Sequence, residues 1–224
     1  QHRHWITPRF TLGEAGEGEA FCARFSPDDL YLAVASGAGS IAVYNALTGK
    51  KSMVLGGGKD DRLPTTQVRW RPTQALSKTK NVLVSVGADG RVLHWHASSG
   101  KCLHEIVEPD NQLFCIDYVA DGTQFATAGR RREVRVYDES TKKLASVLVG
   151  GEEGMTPGHS NRVFSLRFHP TMRNVLVSGG WDNTVQFWDL RRGHAVKAIF
   201  GPHICGDAID ISEDGEVLLT GSWR

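Results

Sequence analysis

Along most of this chain, apolar and polar residues alternate in short segments separated by glycine, aspartate, asparagine and proline. Four of these segments end in an aromatic residue and its neighbour: IAVYN at Tyr44, VLHWH at Trp95, VRVYD at Tyr137 and VQFWD at Trp188. Alternation over five or six residues, rich in β-branched and aromatic side chains, is typical of β-strands. No period of about 3.6 residues persists, so we expect helices to be minor.

The strand-like segments recur in units. Before each aromatic segment lie two further apolar segments, such as VFSLRFHP and NVLVSGG in the fourth unit, and a fourth segment such as AVKAIF follows it. The aromatic position returns after roughly 40–50 residues, a period that indicates a β-propeller of four-stranded blades. One blade cannot bury both of its faces, whereas blades packed around a ring can.

These units resemble WD40 repeats. The segment GHSNRVFSLRFHP…NVLVSGGWDNTVQFWDL matches the Gly-His to Trp-Asp pattern almost throughout, and the other units are degenerate at the final pair. The resemblance implies an all-β, WD40-type β-propeller. We expect one propeller region over 1–224, with blade-like units at approximately 20–58, 65–109, 112–151 and 158–201, and a truncated one at 206–224. WD40 rings usually contain seven blades, so these four and a half would be part of a larger ring, incomplete at the C-terminal end.

The resemblance also assigns a buried network to the fourth unit. His159, Ser178, Asp182 and Trp188 occupy the positions of the WD40 structural tetrad, in which hydrogen bonds join the four side chains. Ser, His and Asp could instead form a nucleophilic triad, but no GxSxG elbow is present. The set also decays from unit to unit. The second unit keeps Ser85, Asp89 and Trp95 but has no equivalent His. At these positions the third unit has Thr127, Arg131 and Tyr137, and the first has Val34, Ala38 and Tyr44. A structural role is therefore favoured, and no catalytic residue is expected.

Two groups of residues are candidates for binding a partner. Arg130, Arg131 and Arg132 fill the turn where the fourth unit has Trp181, Asp182 and Asn183. Three guanidinium groups suit an acidic or phosphorylated segment; the alternative is a solvated turn partly neutralised by Glu133. Trp181 and Trp223 occupy matching positions in adjacent units, and Arg224 follows the second. Aromatic and Arg side chains are typical of binding hot spots, although the two indoles could instead pack between blades.

In each unit, one charged residue stands directly before the last aromatic or apolar residue of the first strand. These residues form a charged column: Arg24, Arg69, Asp117, Arg167 and Asp210. Because its signs are mixed, we expect these residues to pair with one another around the central channel rather than to bind a ligand. His94 and His96 have a spacing that can chelate zinc, but no further ligand is identifiable. We therefore expect neither metal nor cofactor.

Composition narrows the function. The formal net charge is +1, from 26 basic and 25 acidic side chains, which argues against a nucleic-acid partner because such proteins usually carry a basic excess. The four scattered cysteines favour a reduced, intracellular and cytoplasmic protein, and no apolar run reaches the roughly 18–20 residues of a membrane helix. We expect a non-catalytic scaffold that binds other proteins, as a subunit of a large intracellular assembly, with a cytoskeletal or ciliary one as an example. The alternatives are a propeller enzyme with its site at the channel mouth and a nucleic-acid-associated propeller.

Overall fold

The computed structural model describes residues 7–13, 18–56, 63–73, 79–150 and 156–223. In this part of the chain all regular secondary structure is β. Its strands form four four-stranded antiparallel sheets and one two-stranded sheet. Within each sheet the strands follow chain order, so every sheet is a simple meander. No helix in the described ranges is long and apolar enough to cross a membrane.

The strand bounds are as follows. The first sheet contains β1 (Ala20–Phe25), β2 (Tyr31–Ser36), β3 (Ile41–Asn45) and β4 (Lys51–Leu55). The second contains β5 (Thr65–Trp70), β6 (Val82–Gly87), β7 (Arg91–His96) and β8 (Lys101–Val107). The third contains β9 (Leu113–Tyr118), β10 (Gln124–Gly129), β11 (Val134–Asp138) and β12 (Leu144–Leu148). The fourth contains β13 (Val163–Phe168), β14 (Val175–Gly180), β15 (Thr184–Asp189) and β16 (His194–Phe200). The two-stranded sheet consists of β17 (Ile209–Ile211) and β18 (Leu218–Thr220).

The sheets are arranged as blades around a common centre. The first strand of each sheet packs against the first strand of the next, so that β1, β5, β9, β13 and β17 follow one another on the inside. The fourth strands β4, β8, β12 and β16 lie on the outside and carry mostly exposed side chains. This is the architecture of a β-propeller, and the predicted all-β propeller is confirmed.

The hydrophobic core lies between neighbouring blades. One cluster of buried residues joins the third and fourth sheets and includes Leu148, Leu166 and Trp188, all with no exposed surface. Equivalent clusters join the first sheet to the second and the second to the third. β6 is a middle strand and both of its faces are covered. Its residues, VLVSVG, are therefore buried along the whole strand. Burying one Val or Leu side chain contributes roughly 1.5–3 kcal/mol, so the blade-to-blade contacts hold the described fold together.

Two glycines fix the turns that carry the candidate partner residues. A Cβ on Gly129 would lie 1.9 Å from the backbone oxygen of Gln112, and one on Gly180 would lie 2.2 Å from that of Arg162. Without side chains, β10 and β14 end close against the segment that precedes the first strand of their own sheet. The backbone N–H of Arg130 then donates to Gln112 O at 2.8 Å, and that of Trp181 donates to Arg162 O at 3.0 Å. Arg130 and Trp181 are therefore equivalent positions of adjacent blades.

All four cysteines are free thiols. Cys22 and Cys115 are buried between strands, and burial raises the pKa of the Cys115 thiol. They behave as small apolar residues of the core.

Candidate functional site

The fourth blade contains a buried network centred on Ser178. Its Oγ accepts a hydrogen bond from Trp188 Nε1 at 2.7 Å and lies 2.7 Å from His159 Nε2. The other ring nitrogen of His159 lies 2.8 Å from Asp182 Oδ2. Because a carboxylate only accepts, His159 Nδ1 carries the proton, and in the neutral ring Nε2 accepts from the serine hydroxyl. Ser178 and Trp188 have no exposed surface.

Asp182 ties this network to the surrounding loops. Its carboxylate also accepts from the backbone N–H of Ser160 at 2.9 Å and from the Thr184 hydroxyl at 2.9 Å. Burial alone would raise the pKa of Asp182, but the hydrogen bond and charge of His159, with these further donors, lower it. A serine that is buried and already holds two hydrogen bonds cannot reach a substrate. The geometry of His159, Ser178, Asp182 and Trp188 therefore supports a structural role.

The second and third blades carry different versions of this network. In the second, Trp95 Nε1 donates to Ser85 Oγ at 2.9 Å. In the third, the place of the histidine is taken by Glu108, whose side chain is 1% exposed. Its Oε1 accepts from the hydroxyls of Thr127 at 2.5 Å and Tyr137 at 3.0 Å.

Sequence reasoning missed Glu108, although a signal exists: it stands just before β9, as His159 stands before β13. Its Oε2 accepts from Asn111 Nδ2 at 2.8 Å and lies 3.5 Å from Arg135 Nε. Arg131 stands at the position equivalent to Asp182. Its backbone N–H donates to the side-chain oxygen of Asn111 at 3.0 Å.

A second buried carboxylate links the second and third blades. Glu139 accepts hydrogen bonds from Tyr118 OH at 3.0 Å, Arg71 Nη1 at 3.1 Å and His94 Nε2 at 3.2 Å, and it forms an ion pair with Lys142. Burial lowers the pKa of His94, against the opposing effect of Glu139.

The two histidines of the HWH segment do not share a ligand position. His94 faces Glu139, whereas His96 Nδ1 lies 2.7 Å from Ser99 Oγ. Within the described ranges, no group of three His, Cys, Asp or Glu side chains is placed to hold a metal ion.

The charged column at the centre is paired, as predicted. Arg69 Nε lies 3.2 Å from Asp117 Oδ1, and Arg167 Nε lies 3.5 Å from Asp210 Oδ1. The sequence did not single out Asp207, which joins three guanidinium groups: it forms an ion pair with Arg24 and lies 3.1 Å from both Arg69 Nη2 and Arg167 Nη2.

The turn of Arg130, Arg131 and Arg132, here called the Arg turn, borders an open depression of about 650 Å³. Asp110, Glu133 and His159 also line this depression. Arg131 Nη1 lies 3.9 Å from Glu133, which is held more closely by Arg135 at 2.6 Å. Arg130 and Arg132 are exposed and form no ion pair with any residue in the described ranges. The local acidic residues therefore neutralise this turn only in part.

Trp181 belongs to a line of stacked rings, here called the aromatic row: Phe114, Phe164, Trp181 and His203. The ring centroids are separated by 4.6 Å, 4.8 Å and 6.4 Å in that order. The Arg162 guanidinium also lies over the Trp181 ring, 5.2 Å from its centroid. Trp181 nevertheless remains 37% exposed. The two readings of Trp181 are therefore compatible, since it packs on a neighbour and also reaches the surface.

Trp223 occupies the matching position of the next sheet, where its backbone N–H donates to His203 O at 3.2 Å. It is 80% exposed. Arg224, the remaining candidate partner residue, lies outside the described residues.

Comparison with known proteins adds the family. The family model "WD domain, G-beta repeat" matches residues 100–138 and 151–189. Within the crystal structure of the mitotic checkpoint complex, a chain with 17% sequence identity superposes with a TM-score of 0.74, over 91% of this chain and 59% of that one. The chain thus contains WD40 repeats, as the sequence predicted.

Among curated WD40 relatives, the U3 small nucleolar RNA-associated protein 21 homolog of Schizosaccharomyces pombe is 27% identical over 187 residues. This match covers 84% of the chain and 19% of the relative. Human coronin-7 is 35% identical over 100 residues, which is 45% of the chain and 11% of that protein. The chain thus spans less than a fifth of the length of these two relatives.

The WD40 networks can be compared by removing their serines. Ser178→Ala leaves the Trp188 indole N–H and His159 Nε2 without a partner, whereas Ser85→Ala leaves only the Trp95 N–H. A buried donor left unpaired costs about 1–3 kcal/mol. We expect a loss of about 2–3 kcal/mol for Ser178→Ala and about 1 kcal/mol for Ser85→Ala, measured by urea unfolding. Equal losses of unfolding free energy in the two variants would contradict the central position of Ser178 in its network.

Proposed function

We propose that this chain forms part of a non-catalytic WD40 scaffold that binds other proteins through the blade face carrying the Arg turn. The observation that carries the proposal is the pair Arg130 and Arg132, which are exposed and unpaired within the described ranges beside an open depression. Guanidinium groups in such a setting bind carboxylate or phosphate groups through paired hydrogen bonds. The partner would therefore present an acidic or phosphorylated segment.

The rest of the site supports scaffolding over catalysis. Ser178, the strongest nucleophile candidate of the sequence, is buried inside its network, and the central Asp and Arg residues neutralise one another. WD40 propellers typically bind other proteins, and the solved structure that this chain resembles is that of a complex, the mitotic checkpoint complex.

The proposal extends to the cellular setting of the chain. We place the chain in a large intracellular assembly, with the cytoplasm as its expected compartment and a cytoskeletal or ciliary complex as one candidate. The S. pombe relative is named for its association with U3 small nucleolar RNA. That name favours a second candidate function, as a subunit of a ribonucleoprotein assembly. In this function the Arg turn would contact RNA phosphates.

Reversing the charge of the Arg turn should remove the partners. In Arg130→Glu/Arg132→Glu, two attractive charges become repulsive, while Arg131 keeps its contact with Glu133. We expect partner retention in quantitative affinity purification to fall about tenfold or more, since charge-assisted hydrogen bonds contribute about 1.5–3 kcal/mol each.

The matched control is Lys101→Glu/Lys143→Glu, which makes the same change of formal charge at two exposed outer positions. We expect it to keep the partners, and thermal unfolding checks that both variants fold. Unchanged partners in the Arg variant would overturn the role of the turn. Partners that are released by ribonuclease treatment would favour the ribonucleoprotein alternative.

A further inference from the structure

The two inner rings of the aromatic row, Phe164 and Trp181, present ring edges rather than ring faces to a partner. Phe164 is stacked between Phe114 and Trp181, with interplanar angles of 8° and 30°. The faces of Trp181 are occupied by Phe164, Arg162 and His203. Since Trp181 is still 37% exposed, the surface that it offers is mainly its edge. The edge of an aromatic ring carries the positive part of its quadrupole.

The aromatic row begins beside the Arg turn. The backbone N–H of Arg130 donates to Gln112 O, and Phe114 follows Gln112 by two residues on the same segment. From Phe114 the row crosses to the fourth blade through Phe164 and reaches Trp181, the position equivalent to Arg130. Arg130 therefore stands at one end of the row and Arg162 near the other.

Both parts of this surface favour the same chemistry. The Arg turn supplies unpaired guanidinium groups, and the row supplies electropositive ring edges followed by the Arg162 cation. An extended chain covers about 3.3 Å per residue, so about five residues would follow the row. Nucleic-acid bases, by contrast, bind aromatic side chains by stacking on open ring faces, and the faces of Phe164 and Trp181 are already covered.

We propose that the Arg turn and the aromatic row form one continuous docking surface for an acidic peptide segment in extended conformation. Carboxylates at one end pair with Arg130 and Arg132, and further carboxylates lie along the ring edges toward Trp181 and Arg162. This inference rests on the proposed function, because it names the partner class and extends the binding surface across two blades.

The test uses fluorescence anisotropy with two labelled probes of equal length, an oligoglutamate peptide and an oligouridylate. We expect the wild-type chain to bind oligoglutamate more tightly than oligouridylate. Trp181→Leu keeps apolar packing but removes the ring, and should weaken oligoglutamate binding about three- to tenfold. His203→Leu removes the end ring and should act in the same direction, which keeps the test available if the first variant does not fold.

Trp223→Leu is the matched control, because Trp223 holds the equivalent position and shows no ring stacking within the described ranges. It should bind oligoglutamate within twofold of wild type. Normal binding by both folded Trp181→Leu and His203→Leu would overturn the role of the row, as would tighter binding of oligouridylate by the wild type. If the row variants bind normally while Arg130→Glu/Arg132→Glu does not, this inference fails and the proposed function stands. If the Arg variant also binds normally, or the wild type does not bind oligoglutamate, both fail.

Discussion

Replacing Glu139 by alanine should lower the free energy of unfolding by about 3–5 kcal/mol, the usual cost of removing one partner of a buried ion pair. The Glu139 side chain is only 6% exposed. Its loss would leave the Arg71 and Lys142 cations, together with the hydroxyl of Tyr118 and the ring of His94, without their shared acceptor. These groups belong to two blades, so the variant weakens the contact between them as well as the third blade itself.

Urea unfolding followed by circular dichroism measures this loss, with two comparison variants. Glu139→Gln keeps the shape and one acceptor oxygen and should fall between wild type and Glu139→Ala. Glu105→Ala is the control, because Glu105 forms a comparable pair with Arg91 at 2.5 Å but its side chain is 41% exposed. An exposed pair contributes only about 0–1 kcal/mol. A Glu139→Ala loss no larger than that of Glu105→Ala would contradict the role of this carboxylate.

The same network predicts how Glu139 titrates. Burial alone would raise the pKa of Glu139, but hydrogen bonds and charge from His94 and Lys142 lower it to about 2. An ordinary glutamate has a pKa of about 4.3. Because the folded-state pKa lies below the unfolded one, the stabilisation by this carboxylate is complete above about pH 4.3 and is lost as the pH falls toward 2. The NMR titration of the Glu139 carboxyl carbon should show its midpoint near 2; a midpoint near 4.3 would contradict this pairing.

The sequence predicted the strands because each strand needs only local information. Short alternating segments bounded by turn residues define where strands begin and end, and their recurrence implies that they stack as blades. The hydrogen bond between Trp95 and Ser85 could also be expected, since both residues stand at fixed places of the repeat.

The acidic centres could not be predicted in the same way, because their partners come from other units. Glu139 meets Arg71 and His94 of the preceding blade, and Asp207 meets Arg24 and Arg69 of distant ones. The repeat pattern aligns equivalent positions, but it does not show which side chains of different blades meet.

Trp181 illustrates a further limit of sequence reasoning. The sequence offered packing and partner contact as alternatives, whereas a ring with two faces and an edge can do both. Only the stacking on Phe164 and the position of Arg162 show that the ring is packed while it remains partly exposed.

Glu108 should prove nearly as important to stability as Glu139, although the WD40 pattern has a histidine at its position. Glu108→Ala removes the acceptor of Thr127, Tyr137 and Asn111 in a place that is closed to solvent. Several buried donors left unpaired next to the partly buried cation of Arg135 should cost about 3–4 kcal/mol in urea unfolding.

A double-mutant cycle with Tyr137→Phe tests whether Glu108 stabilises the fold through the hydrogen bond to its carboxylate or only through the volume of its side chain. Burial, reinforced by the charge of Glu108, raises the pKa of Tyr137, so its hydroxyl stays protonated and donates to Glu108. Alone, Tyr137→Phe should cost about 1 kcal/mol. In the Glu108→Ala background the hydroxyl has lost this acceptor, so its removal should cost nothing or restore stability. The cycle should therefore give a coupling of about 1–2 kcal/mol, whereas losses that add to within about 0.5 kcal/mol would show that Glu108 acts through its volume alone.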